Sequence, residues 1–214
     1  MTTAGRKTGP VLRVYDSAMS TTGPRLPPLP AGEWSDVLTR VLENSPGGTD
    51  EPMHIFTTLG RADPELFRRW LGFGGALLAG NLPGRLRELV ILRTAARFGG
   101  RYEWAQHIGL AVEQGVTPDE LVAVSNGDDA VDAVEWSPLE RAALRAVDET
   151  ADDGMVSDAT WAVLAEDLEE SDRIELLMLI GHYMMLTTVL GSLRIALEPR
   201  AEALAHSVPG GPAA

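Results

Sequence analysis

Repeated helix-start signals restrict the fold of this sequence more than any other feature. Asp-Pro at 63–64, Thr-Pro-Asp-Glu at 117–120 and Ser-Pro-Leu-Glu at 137–140 each place a capping side chain before a proline. A proline is well tolerated at the first helical position, and a glutamate three residues after the cap completes a capping box. The sequence lacks runs of alternating β-branched residues bounded by hairpin turns. We therefore predict an all-α fold.

The chain divides into an arm, a helical domain and a tail. Residues 1–32 mix Gly, Pro, Ser and Thr, cannot bury a regular element, and are predicted to form an extended or disordered arm. We assign 33–198 to one all-α domain and 199–214 to a C-terminal tail, with a turn-rich connection at 125–136. Caps and periodicity predict helices over 34–44, 64–80, 84–98, 102–115, 118–125, 137–151, 157–168, 171–197 and, as a short piece, near 199–206.

Charge and cysteine content exclude several functions. Asp and Glu outnumber Lys and Arg by 31 to 18, which gives a net charge of −13 and removes the general attraction to nucleic acid and anionic lipid. The chain has no cysteine, so it has no disulfide, thiol nucleophile, iron–sulfur cluster or Cys-ligated zinc. We expect the partner to be a small-molecule substrate, with no nucleic acid and no membrane.

The segment "LLMLIGHYMMLTTVLGSL" at 176–193 tests that last expectation, because it is long enough to span a bilayer. It contains His182 and Tyr183, is flanked by Glu175 and Arg194, and has no basic cluster on either side. We interpret it as a core helix or one buried between subunits. The N-terminus shows no apolar region before a cleavage site, so a cytoplasmic location is expected.

One carboxylate falls on the apolar side of the helix predicted from Gly84. Helical phasing places Arg87, Arg93, Thr94 and Arg97 on one side, and Glu88 in the middle of the opposite, apolar side. A carboxylate there must find a hydrogen-bonded or charged partner, or stay protonated. Arg85 or Arg101 could be that partner, in which case Glu88 would be structural.

The stretch "RYEWAQH" at 101–107 places Glu103 and His107 four residues apart on one helix face. Only 98–101 separate this helix from the preceding one, so the two should pack as a hairpin and bring Glu88 near His107. The three groups would then form a proton-handling cluster. A metal held by Glu103 and His107 is an alternative, but no third ligand is established, and we predict no metal site.

The segment "RLRELVILRTAARFGGRYEWAQHIGLAVEQGVTPDELVAV" (85–124) resembles the carboxymuconolactone decarboxylase and alkyl hydroperoxidase D (AhpD) superfamily. The flanks resemble its longer members, so the likeness covers about 24–198. The resemblance implies an AhpD-like helical bundle that assembles as a homo-oligomer, typically a trimer or hexamer, with sites near subunit contacts. In the hydroperoxidase branch a Cys-x-x-Cys pair carries the redox chemistry, assisted by a glutamate and a histidine that match Glu88 and His107.

The two cysteine positions of that branch fall on Gly100 and Glu103. Thiol peroxidase chemistry needs a thiolate and a resolving partner, so the resemblance does not carry that activity here. The decarboxylase branch uses acid–base groups only. We therefore expect a cofactor-independent lyase or isomerase (decarboxylation, dehydration or isomerisation) acting on a small carboxylated or oxygenated molecule, with Glu88, Glu103 and His107 catalytic.

Further residues are candidates for substrate binding. Tyr102 and Trp104, with Phe73 or Trp70, are predicted pocket walls, and Arg101 or Arg85 could hold a substrate carboxylate in a bidentate grip. His182 could face the same pocket or be a satisfied core histidine. Two alternatives to the acid–base enzyme stay open: a redox protein of the hydroperoxidase lineage with a borrowed cofactor, and a non-catalytic ligand-binding or scaffold protein.

Overall fold

The fold is an all-α bundle, as the sequence predicts. The computed structural model describes residues 23–126, 134–207 and 211, and within those ranges every regular element is a helix. A 3₁₀ turn at Ala31–Glu33 precedes ten α-helices: α1 Asp36–Glu43, α2 His54–Leu59, α3 Pro64–Leu78, α4 Gly84–Phe98, α5 Arg101–Glu113, α6 Pro118–Ser125, α7 Pro138–Asp153, α8 Asp158–Asp167, α9 Glu170–Leu193 and α10 Pro199–Ser207.

The caps predicted at Asp63, Thr117 and Ser137 are present. These three side chains, and that of Ser157, accept hydrogen bonds from the first turns of their helices. Thr117 and Ser137 form complete capping boxes with the glutamates three residues on. These local bonds satisfy backbone N–H groups that a helix leaves unpaired at its start, which explains why the boundaries of these helices were predicted closely.

Two elements differ from the prediction by more than two residues at an end. α2 was not predicted, because it has only six residues and no side-chain cap, so it leaves neither a periodic pattern nor a start signal. α9 was predicted to reach residue 197 but ends at Leu193, where Arg194 adopts a left-handed conformation with φ of 54°. Of the predicted connection at 125–136, residues 127–133 lie outside the described residues, as do 1–22 of the predicted arm.

Helix α4 is the centre of the bundle and is covered by α5, α6, α7 and α9. Its apolar residues enter two hydrophobic clusters, one toward α7 and α9 and one toward α5 and α6. Contrary to the predicted polar side of this helix, Arg93 and Thr94 are fully buried. Arg93 is accommodated because Asp148 of α7 accepts two hydrogen bonds from its guanidinium, at 2.8 and 2.9 Å.

The long apolar helix α9 packs on α3, α4, α5 and α8. It is the one described helix that is long and apolar enough to cross a membrane by length and composition, with 44% of the apolar window buried in the protein. Leu176, Leu179, Ile180 and Leu190 on its inner side belong to the main hydrophobic cluster. These contacts are those of a core helix, and they place His182 and Tyr183 beside α3 and α5.

Candidate active site

A buried glutamate and a histidine meet across the α4–α5 hairpin. α4 ends at Gly99, whose φ of 73° reverses the chain at little cost, so α5 returns along α4. This places Glu88 Oε2 2.7 Å from His107 Nδ1. Arg87 Nε lies 3.3 Å from the other carboxylate oxygen. The predicted approach of Glu88 to His107 is therefore present, and neither Arg85 nor Arg101 is its partner.

Tyr183 extends this pair into a chain of three groups. Its hydroxyl oxygen lies 3.0 Å from His107 Nε2, and the tyrosine and imidazole rings meet edge to face. An ionised Glu88 can only accept, so Nδ1 carries its proton, and Nε2 of the neutral ring accepts from the Tyr183 hydroxyl. Burial raises the pKa of Tyr183, and the nearby Glu88 and Glu103 raise it further, so the hydroxyl stays protonated.

Tyr183 was not among the predicted site residues. A tyrosine inside the apolar segment 176–193 was the available signal, because a buried phenol needs a hydrogen-bond partner. The partner could not be identified from spacing, since Tyr183 and His107 lie 76 positions apart.

Glu103 is a buried carboxyl group without a partner. Its side chain is 3% exposed, and within the described chain neither carboxyl oxygen has a hydrogen-bond donor. Burial raises the pKa of Glu103 to about 7. At and below neutral pH a large fraction of Glu103 is thus a carboxylic acid, which can donate a proton.

The Glu103 and Thr187 side chains pack closely around Gly100. A Cβ atom added to Gly100 would lie 2.6 Å from Thr187 Oγ1 and 2.8 Å from Glu103 Oε2, closer than real Cβ contacts. By the resemblance described above, Gly100 and Glu103 correspond to the cysteine pair of the hydroperoxidases. Glycine at position 100 leaves room for the Glu103 and Thr187 side chains in their present positions.

A cavity of about 430 Å³ borders these groups. Glu103 and His107 of α5 and His182 and Tyr183 of α9 contribute to its lining. Apolar residues of α2, α3, α9 and α10 complete the walls, and include Ile55, Phe56, Trp70, Leu71, Leu186 and Leu204. Among the predicted wall and binding residues, Tyr102, Trp70 and His182 line this cavity.

Another glutamate, Glu198, lines the cavity and was not predicted. It lies just before α10 and accepts hydrogen bonds from the Tyr102 hydroxyl at 2.7 Å, Gln106 Nε2 at 2.6 Å and the His54 backbone N–H. Burial and the Glu198 charge raise the pKa of Tyr102, which keeps its proton for this bond. Because Glu198 follows a predicted core helix at the edge of the predicted tail, no local pattern marked it.

The structure places the other predicted binding residues away from the cavity lining. Trp104 is 1% exposed and packs in the hydrophobic cluster between α4, α5 and α6. Arg85 bonds to Glu120 and Glu140, the two glutamates of the capping boxes. Arg101 pairs with Glu202 of α10 at 3.2 Å. The predicted carboxylate grip by Arg85 or Arg101 does not match these positions, because both guanidinium groups are paired elsewhere.

Phe73, the remaining predicted wall residue, does not line the cavity but packs edge to face against the His182 ring. In the part of the chain that the structure describes, no three His, Asp or Glu side chains are grouped so that they could hold a metal ion.

Part of the chain is similar to a known protein family. The carboxymuconolactone decarboxylase family signature matches residues 64–149, which include Glu88, Glu103 and His107. No curated protein sequence matches the chain.

Solved structures with the same fold cover most of the chain. An uncharacterised peroxidase-related protein from Ralstonia eutropha JMP134, described as an alkylhydroperoxidase AhpD core, is 16% identical with a TM-score of 0.74 over 86% of this chain and 97% of its own. One from Silicibacter sp. TM1040 is 13% identical with a TM-score of 0.71 over 85% and 97%. The debrominase Bmp8, in complex with 2,3,4-tribromopyrrole, is 17% identical with a TM-score of 0.67 over 85% and 96%.

The family signature covers the hairpin that carries the Glu88–His107 pair, and the solved structures share the surrounding helical fold. The chain has no cysteine at any position. Residues 64–149 of this cysteine-less chain are thus similar to the carboxymuconolactone decarboxylase family, and the described residues share the fold of the AhpD-like solved structures.

Proposed function

We propose that this protein is a cofactor-independent acid–base enzyme that decarboxylates, dehydrates or isomerises a small carboxylated or oxygenated organic molecule. The observation that carries the proposal is the buried chain from Glu88 through His107 to Tyr183, which borders a cavity large enough for such a molecule. Buried hydrogen-bonded groups of this kind are held in one orientation and can pass a proton without reorganisation by water.

In the proposed mechanism, protons move from the substrate through Tyr183 to His107. As a substrate C–H proton moves to the Tyr183 oxygen, the phenolic proton moves to His107 Nε2. Glu88 stabilises the resulting imidazolium through Nδ1 at 2.7 Å. Glu103, held partly as the carboxylic acid by its burial, supplies a proton at a second position of the substrate.

Two features of the comparisons support an enzymatic function. The family takes its name from a decarboxylation, and a debrominase with the same fold was solved with a small bromopyrrole bound. A non-catalytic binding protein is an alternative that only the cavity supports. Such a protein would bind its ligand without converting it. The redox alternative would need a borrowed cofactor, because the chain cannot supply the cysteine pair.

Proton transfer can be tested before the natural substrate is identified. Wild-type protein is incubated in D₂O with 2-tetralone, 2-cyclohexenone and a γ-lactone, and deuterium uptake next to each carbonyl is followed by NMR. We expect exchange above the buffer rate for at least one probe. Because a positioned general acid or base contributes about 10²–10⁴-fold, Glu88→Gln and Tyr183→Phe should lower the enhancement by roughly 10²-fold.

His206→Gln is the matched control for His107→Gln, since His206 is exposed on α10. The control should exchange at the wild-type rate, and His107→Gln should not. If the Glu88, His107 and Tyr183 variants keep their helical circular dichroism and all exchange at the wild-type rate, the proton chain has no catalytic role and the proposal fails.

A further inference from the structure

Three residues that line the cavity carry buried polar atoms without hydrogen-bond partners among the described residues. Trp70 Nε1, His182 Nδ1 and both carboxyl oxygens of Glu103 have no hydrogen-bond partner among the described residues. All three residues line the same cavity. In folded proteins such groups are nearly always paired, because an unmade buried hydrogen bond is costly. Because these three residues share one cavity, a single bound molecule could complete all of their hydrogen bonds.

The hydrogen-bonding capacity of these groups defines the missing partner. The Trp70 indole can only donate, so the ligand must carry an acceptor. Burial lowers the pKa of His182, which leaves a neutral ring with one donor and one acceptor nitrogen. Glu103 as a carboxylic acid both donates and accepts. A hydroxyl or carbonyl oxygen on the ligand can satisfy each of these groups.

The charges around the cavity disfavour an anion. The acidic side chains of Glu51, Glu103, Glu113 and Glu198 line it, and Arg200 is the only Arg or Lys among its described lining residues. Arg200 is exposed, so solvent screens its charge. A carboxylate placed beside the Glu198 carboxylate would be repelled by its charge. This distribution of charge selects against the carboxylated half of the proposed substrate range.

The same surroundings do not suit a cation. Glu198 already accepts three hydrogen bonds, from Tyr102, Gln106 and the His54 backbone, so it has little capacity for an ammonium group. An ammonium group also carries no acceptor for the Trp70 N–H. Aromatic and aliphatic side chains, among them Phe56, form most of the remaining wall and suit a ring.

We propose that the cavity binds an uncharged cyclic compound that carries a hydroxyl or carbonyl oxygen, and that it discriminates against carboxylates. This inference rests on the proposed function only in taking this cavity as the substrate site.

Three probes with one ring system separate the charge classes. 2-Naphthol, 2-naphthoate and 2-naphthylmethylammonium are titrated into the wild-type protein at pH 6 and followed by isothermal calorimetry. We expect 2-naphthol to bind at least tenfold more tightly than either charged probe. Equal or tighter binding of the carboxylate or the ammonium probe overturns the proposal.

A pair of tryptophan variants tests the donor. Trp70→Phe removes the indole N–H and should weaken 2-naphthol binding about 5–10-fold, the usual effect of one hydrogen bond. Trp161→Phe is the control. Trp161 lies on α8, where the Arg173 guanidinium stacks on its ring, and it does not line the cavity. If both variants bind like the wild type, the donor role of Trp70 is wrong and the proposal is overturned.

These measurements report binding and the deuterium-exchange experiment reports proton transfer, so the two proposals fail separately. Selective binding of 2-naphthol with no exchange activity would refute the acid–base enzyme and leave the ligand class standing. Exchange activity with preferential binding of 2-naphthoate would do the reverse.

Discussion

The pairing of Glu88 with His107 shows how one side chain limits the possibilities at the residue scale. A glutamate on the apolar face of a helix must be paired or protonated, and that requirement follows from the sequence alone. Arg85 and Arg101 were equally available partners by spacing. The hairpin geometry selects His107 because its ring lies directly across from Glu88, while the two arginines reach Glu120, Glu140 and Glu202.

Glu103 makes folding stability depend on pH in a defined direction. Its pKa is 4.5 in the unfolded chain and about 7 when buried. Between these values the folded state holds the additional proton, so this residue destabilises the fold progressively as pH rises from 4.5 to 7. The full effect above pH 7 is roughly 3 kcal/mol, from the size of the shift. Glu103→Gln should therefore stabilise the protein at pH 8 and change little at pH 4.5.

Urea denaturation of wild type and Glu103→Gln at both pH values measures this difference. A stability gain that is the same at pH 4.5 and pH 8 would contradict a raised pKa for Glu103. Activity should follow the same ionisation, because the carboxylic acid that donates the proton is lost as pH rises through about 7.

At the scale of elements, the central position of α4 overrides its sequence pattern. A helix packed on several sides has no true solvent face, so polar residues on it must be neutralised inside the protein. Arg93 illustrates this, with no exposed surface, two bonds to Asp148 and a third to the Val124 carbonyl at 3.0 Å. Phasing predicted an exposed arginine because it assumes that one helix side faces water.

Arg93→Ala should destabilise the fold by about 3–5 kcal/mol, because it leaves a partly buried Asp148 and the Val124 carbonyl without their main donor. Arg68→Ala is the control, since Arg68 forms an exposed ion pair with Glu65 on α3. Urea denaturation should show a large shift of the midpoint for the first variant and none for the second. Similar midpoints for both variants would mean that α4 and α7 do not depend on this buried pair.

At the scale of the whole molecule, an apolar stripe lies on the outside of α9. Ile174, Leu177, Met178 and Met185 are each more than a third exposed, and their spacing places them on one helix face. A monomer gains nothing from such a stripe in water. We propose that a second copy of this chain covers it, in the homo-oligomer that the family resemblance implies. The cytoplasmic location and the absence of membrane partners stay predictions.

Met178→Glu combined with Ile174→Glu should reduce the particle mass, because two charges would be buried at the contact between subunits. Met155→Glu is the control, as an exposed methionine between α7 and α8 that lies outside the stripe. Sedimentation at several concentrations measures the mass. A monomeric wild type, or a double variant with the wild-type mass, would show that α9 is not an interface.

The helical class, the boundaries of the capped helices and the three acid–base candidates could all be predicted from the sequence. Each of these depends on interactions within a few residues: a cap and its first turn, or a polar group on an apolar stripe. The sequence also shows that this chain has no thiol, because it contains no cysteine and has glycine at position 100.

Contacts between side chains that are far apart in the sequence depend on the tertiary structure. Tyr183 reaches His107 from 76 positions away, and Glu198 reaches Tyr102 from 96 positions away. Helix packing also places Arg85 and Arg101 beside other glutamates and buries Trp104 in a hydrophobic cluster. Pairing across the bundle depends on how whole helices pack, and packing is set by many side chains together. The proton chain and the cavity beside it are therefore properties of the folded protein.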